Sequence, residues 1–141
     1  MINIPSDDKV TSENKESIEE ALVVIEELLS EENVWNLTEE EKKEIEAQQE
    51  DLIEKLEKIQ AAEEGMEAVK ETGNGLPSDD KVTSENKESI EEALEVIEEL
   101  LSEENVGNLT EEEKKEVESK KEDLIEKLEK IQAAEEGMEA V

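Results

Sequence analysis

The chain contains one 65-residue sequence twice. Residues 5–69 return as residues 77–141, an offset of 72, and the two copies agree at 59 positions. The six differing pairs are Val23/Glu95, Trp35/Gly107, Ile45/Val117, Ala47/Ser119, Gln48/Lys120 and Gln49/Lys121. Because chance does not produce such agreement, one fold must suit both copies, and the copies must be compatible as neighbours. The match indicates a recent duplication or an engineered tandem.

The segment between the copies predicts a boundary. Residues 71–76 read ETGNGL, and Gly-Asn-Gly is a turn and helix-breaking signal. We therefore predict a first repeat at 5–70, a linker at 71–76 and a second repeat at 77–141. The first residues, INIP at 2–5, align with NGLP at 74–77, so we expect the chain to be a piece of a longer array.

Apolar residues at three- and four-residue spacing predict two helices in each copy. In the first copy these residues are Ile18, Ala21, Leu22, Ile25, Leu28 and Leu29, followed by Ile45, Leu52, Ile59 and Met66. Thr11 and Ser12 are suitable N-caps for the first helix, and Thr38 with Glu41 forms a capping box before the second. The predicted helices span about 12–31, 39–69, 84–103 and 111–141.

The fold class that follows is all-α, with two helical-hairpin repeats. One hairpin buries too little apolar surface to be stable, and the second helix overhangs the first. The 5–10 arm can cover the overhang, the second helix can break at 48–51 to give a short three-helix bundle, or two hairpins can dock as a four-helix antiparallel bundle. Gly65 marks the weak end of the second helix.

The composition excludes several functions. The net charge of −31 repels nucleic acid and anionic lipid, which bind through Lys and Arg. The chain has no His and no Cys, which removes the commonest general base, the commonest zinc ligand and any thiol nucleophile. No apolar run approaches the roughly 20 residues of a membrane span. We therefore expect a non-enzymatic monomer without cofactors, nucleic acid partners or membrane insertion.

Four stretches of the second copy, each matched in the first, carry a resemblance. They are LP at 76–77, SENKESIEEA at 84–93, NLTEEEK at 108–114 and LEKIQAAE at 128–135. The pattern resembles tandem helical repeats of cell-wall-anchored surface proteins from Gram-positive gut bacteria of the Clostridium and Ruminococcus kind. Its opening and its LTEEE turn are similar to the "found in various architectures" helical module. That module has a short second helix, whereas the helical pattern continues here.

The resemblance covers nearly the whole chain and implies a function. It implies an extracellular location on the bacterial cell surface, within a longer anchored protein, and a role as a spacer, stalk or adhesion scaffold. It brings no catalytic residues. Two alternatives are a helical module that binds a host extracellular protein and an engineered tandem with no natural partner. Adjacent repeats of the parent protein are a further kind of partner.

Few individual residues are candidates for a site. Trp35 is the only aromatic residue, and it is either a partner contact or a cover for the end of the hairpin. The acidic clusters at 7–8, 31–32 and 39–41 lack the loop pattern of a calcium site, so we predict no metal site. The sequons at 36–38 and 108–110 are better explained by their threonines acting as N-caps.

Overall fold

The computed structural model of the chain describes residues 4–141, and this part of the chain forms four α-helices. They are α1 (Lys15–Leu28), α2 (Glu39–Gly75), α3 (Lys87–Leu100) and α4 (Glu111–Ala140). Short 3-10 turns lie at Ser12–Asn14, Val34–Asn36, Ser84–Asn86 and Val106–Asn108. The helices pack against one another, which confirms the all-α class with four helices. The alignment of residues 2–5 with 74–77 depends largely on residues outside the described part.

Threonine caps fix the starts of the long helices. The hydroxyl oxygen of Thr38 accepts a hydrogen bond from the backbone N–H of Glu41 at 3.1 Å, and the Glu41 carboxylate accepts one from the N–H of Thr38 at 3.0 Å. Thr110 and Glu113 form the same pair before α4. The capping boxes are therefore confirmed, and each satisfies two N–H groups that the helix itself leaves free.

The first helix of each repeat is shorter than predicted. We expected about 12–31, but the first three residues form a 3-10 turn and α1 ends at Leu28. The Ser30 hydroxyl and the Asn33 side-chain amide both donate to the carbonyl oxygen of Glu27, at 2.7 and 2.9 Å. These side chains replace the backbone N–H that a continuing helix would bring to this carbonyl, so the helix stops.

Helix α2 runs through the segment predicted to be a linker. It is continuous over 37 residues, so the alternative of a break at 48–51 is wrong, and the segment predicted to be a linker is helical up to Gly75. Each glycine there costs about 1 kcal/mol of helix propensity relative to alanine. Packing on both sides of Gly-Asn-Gly offsets this cost: Val69 is 1% exposed, and Leu76 packs against the same core just beyond the helix.

The helices pack mainly in chain order. α1 packs on α2, α2 on α3 and α3 on α4, and α4 also touches α2. The start of α1 contacts α2 through Lys15 and Glu63, and the start of α3 contacts α4 through Lys87 and Glu135, so each short helix runs antiparallel to the long helix that follows it. Helix α2 is shared, because it packs on α1 as far as Glu63 and on α3 from Ala62 onward. The predicted docking of the two hairpins is confirmed in this form.

Two apolar cores result, and their boundary is not the repeat boundary. The smaller core contains Val10, Ile18 and Ile59, with half-buried Leu22 and Leu52 packed against it. Val10 belongs to the 5–10 arm, so the arm does cover part of α2 as predicted. The larger core consists of Ala62, Val69, Ile90, Ala93, Ile97, Leu100, Leu109, Val117, Leu124 and Ile131. It takes Ala62 and Val69 from the first repeat, so the division between the cores falls within α2.

Gly65 is a packing position rather than a weak helix end. An alanine Cβ at Gly65 would lie 2.9 Å from Cδ2 of Leu100, closer than real Cβ contacts allow. The missing side chain lets α3 approach α2 and lets Leu100 fill the space. The sequence-based interpretation of Gly65 is wrong because it considered helix propensity without the neighbouring helix.

Candidate functional site

The most specific contacts in the molecule join the two repeats. The first arm (residues 5–10) lies against the second turn (residues 106–108). The side-chain amide of Asn108 donates to the carbonyl oxygens of Asp7 at 3.0 Å and Val10 at 2.7 Å. Asn108 is only 3% exposed, so this amide pins two backbone carbonyls of the arm away from water.

Gly107, next to Asn108, permits the close approach of the arm. A Cβ built on Gly107 would lie 2.1 Å from the carbonyl oxygen of Asp8. That oxygen belongs to the backbone, so it cannot move aside as a flexible side chain would. A glycine at this turn is therefore a geometric requirement for arm docking. A further hydrogen bond joins the Ser12 hydroxyl to the Glu113 carboxylate at 2.9 Å.

We call the contact surface between the two repeats the joint, and it continues from the first arm along the helices. The second half of α2 lies over α3 and the start of α4, where Leu100 meets Gly65. A groove between α2 and α4 is lined by Met66 and Val69 from one side and by Val117 and Lys120 from the other. Glu63, Glu64 and Glu67 line the same groove, so Lys120 places a positive charge beside an acidic helix face.

The corresponding surface of the first repeat is open. We call it the first groove: it holds about 670 Å³ between α1 and α2 and is lined by Ala21, Val24, Leu28, Ile45 and Gln48 among others. Its residues correspond to Ala93, Val96, Leu100, Val117 and Lys120, which lie at the joint in the second repeat. The first groove is thus the empty counterpart of the surface that α2 covers.

Trp35 lies at the first turn (residues 34–36), in the position of Gly107. Its side chain is 85% exposed. The predicted role as a cover for the hairpin end is therefore wrong, because a covering side chain would be buried. The predicted role as a partner contact stays a prediction. Asn36, the counterpart of Asn108, is also exposed.

A lysine holds each arm on the long helix of its own repeat. Lys55 Nζ lies 2.8 Å from the Asp7 carboxylate and 3.1 Å from that of Asp51, and Lys127 lies 2.7 Å from Asp79. Both lysines are buried. The hydrogen bond to Asp7 raises the pKa of Lys55, and the one to Asp79 raises the pKa of Lys127. The arms are therefore fastened by charge as well as by Val10 and its counterpart Val82.

Contacts of this kind explain the acidic cluster at 7–8. Asp7, Asp51 and Glu54 have carboxylate oxygens within 4.8 Å of one another, and the ammonium of Lys55 bonds two of the three. Asp8 accepts a hydrogen bond from the Ser6 hydroxyl at 2.6 Å, which lowers the pKa of Asp8. Asp7 and Asp8 thus help to hold the arm in place, and the single ammonium group of Lys55 offsets part of the charge of the three carboxylates.

The sequons have structural roles in both copies. Thr38 and Thr110 are helix N-caps, as predicted. The side-chain amide of Asn108 is fully engaged with the first arm, so the folded second repeat does not present it to solvent.

Among the helices of residues 4–141, none combines the length and the apolar character that a membrane span requires.

Sequence reasoning missed Gly107 and Asn108 as residues that join the repeats, and it missed Lys55 as the residue that fastens the first arm to α2. A signal for Gly107 was present, because the Trp35/Gly107 pair is the largest change in side-chain volume between the copies. Asn108 carried no such signal, since its counterpart Asn36 is the same residue type.

Comparison of the chain with protein-family models, curated proteins and solved structures gives no match.

Proposed function

We propose that this chain is a non-catalytic spacer, a pair of docked repeats that holds other parts of a bacterial surface protein apart. The observation that carries the proposal is the shared helix α2. It spans 37 residues, about 55 Å at 1.5 Å per residue, and belongs to both cores. A unit that shares one rigid helix with the next has no flexible hinge between them, which is the property a spacer needs.

Several further features support this role. The first and second repeats differ mainly at exposed or joint positions, so both serve the same architecture. The net charge of −31 favours an extended, well-solvated particle. The carboxylates near the arms are used in hydrogen bonds and ion pairs, and the proposal assigns them no catalytic role. The location at the cell surface and within a longer anchored protein rests on the sequence resemblance.

Small-angle X-ray scattering tests the spacer. A globular chain of 141 residues has a radius of gyration of about 14 Å. We expect a value clearly above this, with a distance distribution whose tail exceeds the length of α2. The measurement belongs in about 150 mM salt, where repulsion between molecules is screened. A radius close to about 14 Å would exclude a spacer of this kind.

A binding function is the second candidate, and the first groove favours it. Val24 and Leu28 are exposed apolar residues beside it, which is unusual for a surface with no partner. The natural chain, Leu28→Glu and, as a matched control at an exposed apolar residue that does not line the groove, Ile53→Glu would be used to capture proteins from serum or mucus. Capture that Leu28→Glu abolishes and Ile53→Glu preserves supports binding there, while an empty eluate removes this candidate.

A further inference from the structure

The joint between the repeats indicates what the corresponding exposed surface of the second repeat would bind. In the first repeat, Ala62, Gly65, Met66 and Val69 on α2 face the second repeat, and Val69 is almost fully buried. Their counterparts are Ala134, Gly137 and Met138 on α4 and Val141 directly after it. These residues are exposed, with Met138 at 68%. The same apolar face is therefore covered in one repeat and uncovered in the other.

Within residues 4–141, no turn of another repeat binds the second arm (residues 77–82) as the second turn binds the first arm. It carries the sequence of the first arm, and Lys127 and Asp79 fasten it to α4 as Lys55 and Asp7 fasten the first arm to α2. Its backbone carbonyls at Asp79 and Val82 are the counterparts of the two that Asn108 binds. The second repeat thus presents both halves of a docking surface, an apolar helix face and an arm.

We propose that this surface, the outer face of α4 with the second arm, docks a further repeat of the Gly107 type, and that Trp35 closes the first repeat to docking of the same kind. The occupant is specified by the existing joint. It needs a glycine at its turn because the arm carbonyl would come within 2.1 Å of any Cβ there. It needs an asparagine beside that glycine to bind the arm.

Charge at the joint differs between the two types of repeat in the same sense. Lys120 lines the groove that holds Glu63, Glu64 and Glu67 of α2, together with Glu113 and Glu116 of α4. The counterparts of the three α2 acids on α4 are Glu135, Glu136 and Glu139. The first repeat carries Gln48 where the second carries Lys120. It therefore lacks the space for the arm of another repeat and has one positive charge fewer in the corresponding groove.

Docking of this kind is directional, because the arm and long helix of one repeat bind the turn of the next repeat. A heterologous contact between identical units produces an open array unless one unit is altered, and repeat arrays commonly end in an atypical capping unit. Two copies of the natural chain cannot join in this way, because Trp35 blocks the first repeat and the second turn is already occupied by the first arm. Growth requires a repeat with a free glycine turn. The inference does not rest on the spacer function, since docking depends on these surfaces alone.

Adding a third repeat to the chain tests the proposal. Residues 70–141 are repeated after Val141, which keeps the register of α2, in one version with the glycine of the added turn and in another with tryptophan there. The readout is the relaxation that a soluble paramagnetic agent causes at the methionine methyl groups in NMR spectra. Met66, at the existing joint, is the internal reference for a covered residue, and Met138 is the probe.

The two versions give opposite expected results. With glycine, the effect of the agent at Met138 falls several-fold, to the value at Met66. With tryptophan, Met138 stays as accessible as in the natural chain, while circular dichroism shows that the added repeat is helical. A Met138 that stays accessible in the glycine version overturns the docking surface. Equal protection in both versions overturns the role assigned to Trp35.

Two variants of the natural chain check the glycine requirement without any added repeat. Gly107→Trp should open the joint and raise the accessibility of Met66 toward that of Met138. Trp35→Gly is the matched control and should leave both methionines unchanged. If Met66 remains protected in Gly107→Trp, with helicity retained, then tryptophan at this turn does not prevent docking and the proposal fails.

Discussion

The two repeats share 59 of 65 residues, yet their identical side chains have different surroundings. Leu28 is 37% exposed on α1, whereas Leu100, its counterpart on α3, is 6% exposed because α2 lies over it. The long helices show the reverse: Met66 is half-buried on α2, whereas Met138, its counterpart on α4, is 68% exposed. The comparison teaches that each repeat has two apolar faces beyond its own hairpin, and that a neighbour decides which of them is covered.

The largest expected effect on the free energy of unfolding comes from truncating the leucine pair Leu100 and Leu28. Leu100→Ala should lower the free energy of unfolding by about 2–4 kcal/mol, because it removes apolar contact and leaves a cavity over Gly65. Leu28→Ala should cost about 1 kcal/mol or less, since solvent already reaches this side chain. Urea denaturation followed by circular dichroism measures both. Equal losses would contradict the joint, because they would place the two leucines in the same environment.

The next largest effect on stability is expected at the asparagine pair Asn108 and Asn36. Asn108→Ala should cost about 1–3 kcal/mol, because two buried carbonyls of the first arm lose their donor. Asn36→Ala, at an exposed position, should stay within about 0.5 kcal/mol. Hydrogen exchange at the amides of Lys9 and Val10, which bond the carbonyl of Ser6, reports the arm directly. Exchange there should accelerate in Asn108→Ala alone, and unchanged rates would exclude pinning of the arm by Asn108.

A lysine pair should behave alike in both repeats. Lys55→Met and Lys127→Met should each cost about 1 kcal/mol, because solvent still reaches their carboxylate partners and screens the ion pairs. The pKa of each lysine is raised in the folded state, so their stabilisation is complete below the unfolded value of about 10.4 and is lost as the pH rises through the folded value. Thermal midpoints between about pH 9 and 12 should therefore fall less steeply in the double variant. A parallel fall would show that these ion pairs do not contribute.

Salt should have the smallest effect on stability, and it should act on both repeats alike. Raising sodium chloride from about 10 to 150 mM shortens the screening length from about 30 to 8 Å. Repulsion among the carboxylates then weakens more than the few ion pairs do, so the thermal midpoint should rise by about 1–3 °C. Calorimetry at both salt concentrations measures this shift. A midpoint that falls would mean that the ion pairs outweigh the net charge of −31.

Local features of the fold could be predicted from sequence because they depend on neighbours in the chain. The capping box of Thr38 and Glu41 follows from residues three apart, and the seam through Ile25 and Ile59 follows from helical spacing. The predicted break at Gly73 to Gly75 failed because the packing of Val69 and Leu76 offsets the low propensity of glycine. The contact between Asn108 and the first arm escaped prediction because it joins residues about 100 apart in the chain, and Asn108 is the same residue type as the exposed Asn36.

By itself, the sequence determined that this protein is helical, where each long helix begins, and that one architecture is repeated. These properties come from spacing and capping within a few residues. Only the tertiary structure decided that α2 belongs to both cores, that Gly65 and Gly107 are sites of close approach, and that Trp35 stands where a neighbour would dock. The physical reason is that burial is a property of surfaces brought together across 48 to 101 residues of chain, as the contacts of Lys55 with Asp7 and of Asn108 with Asp7 show.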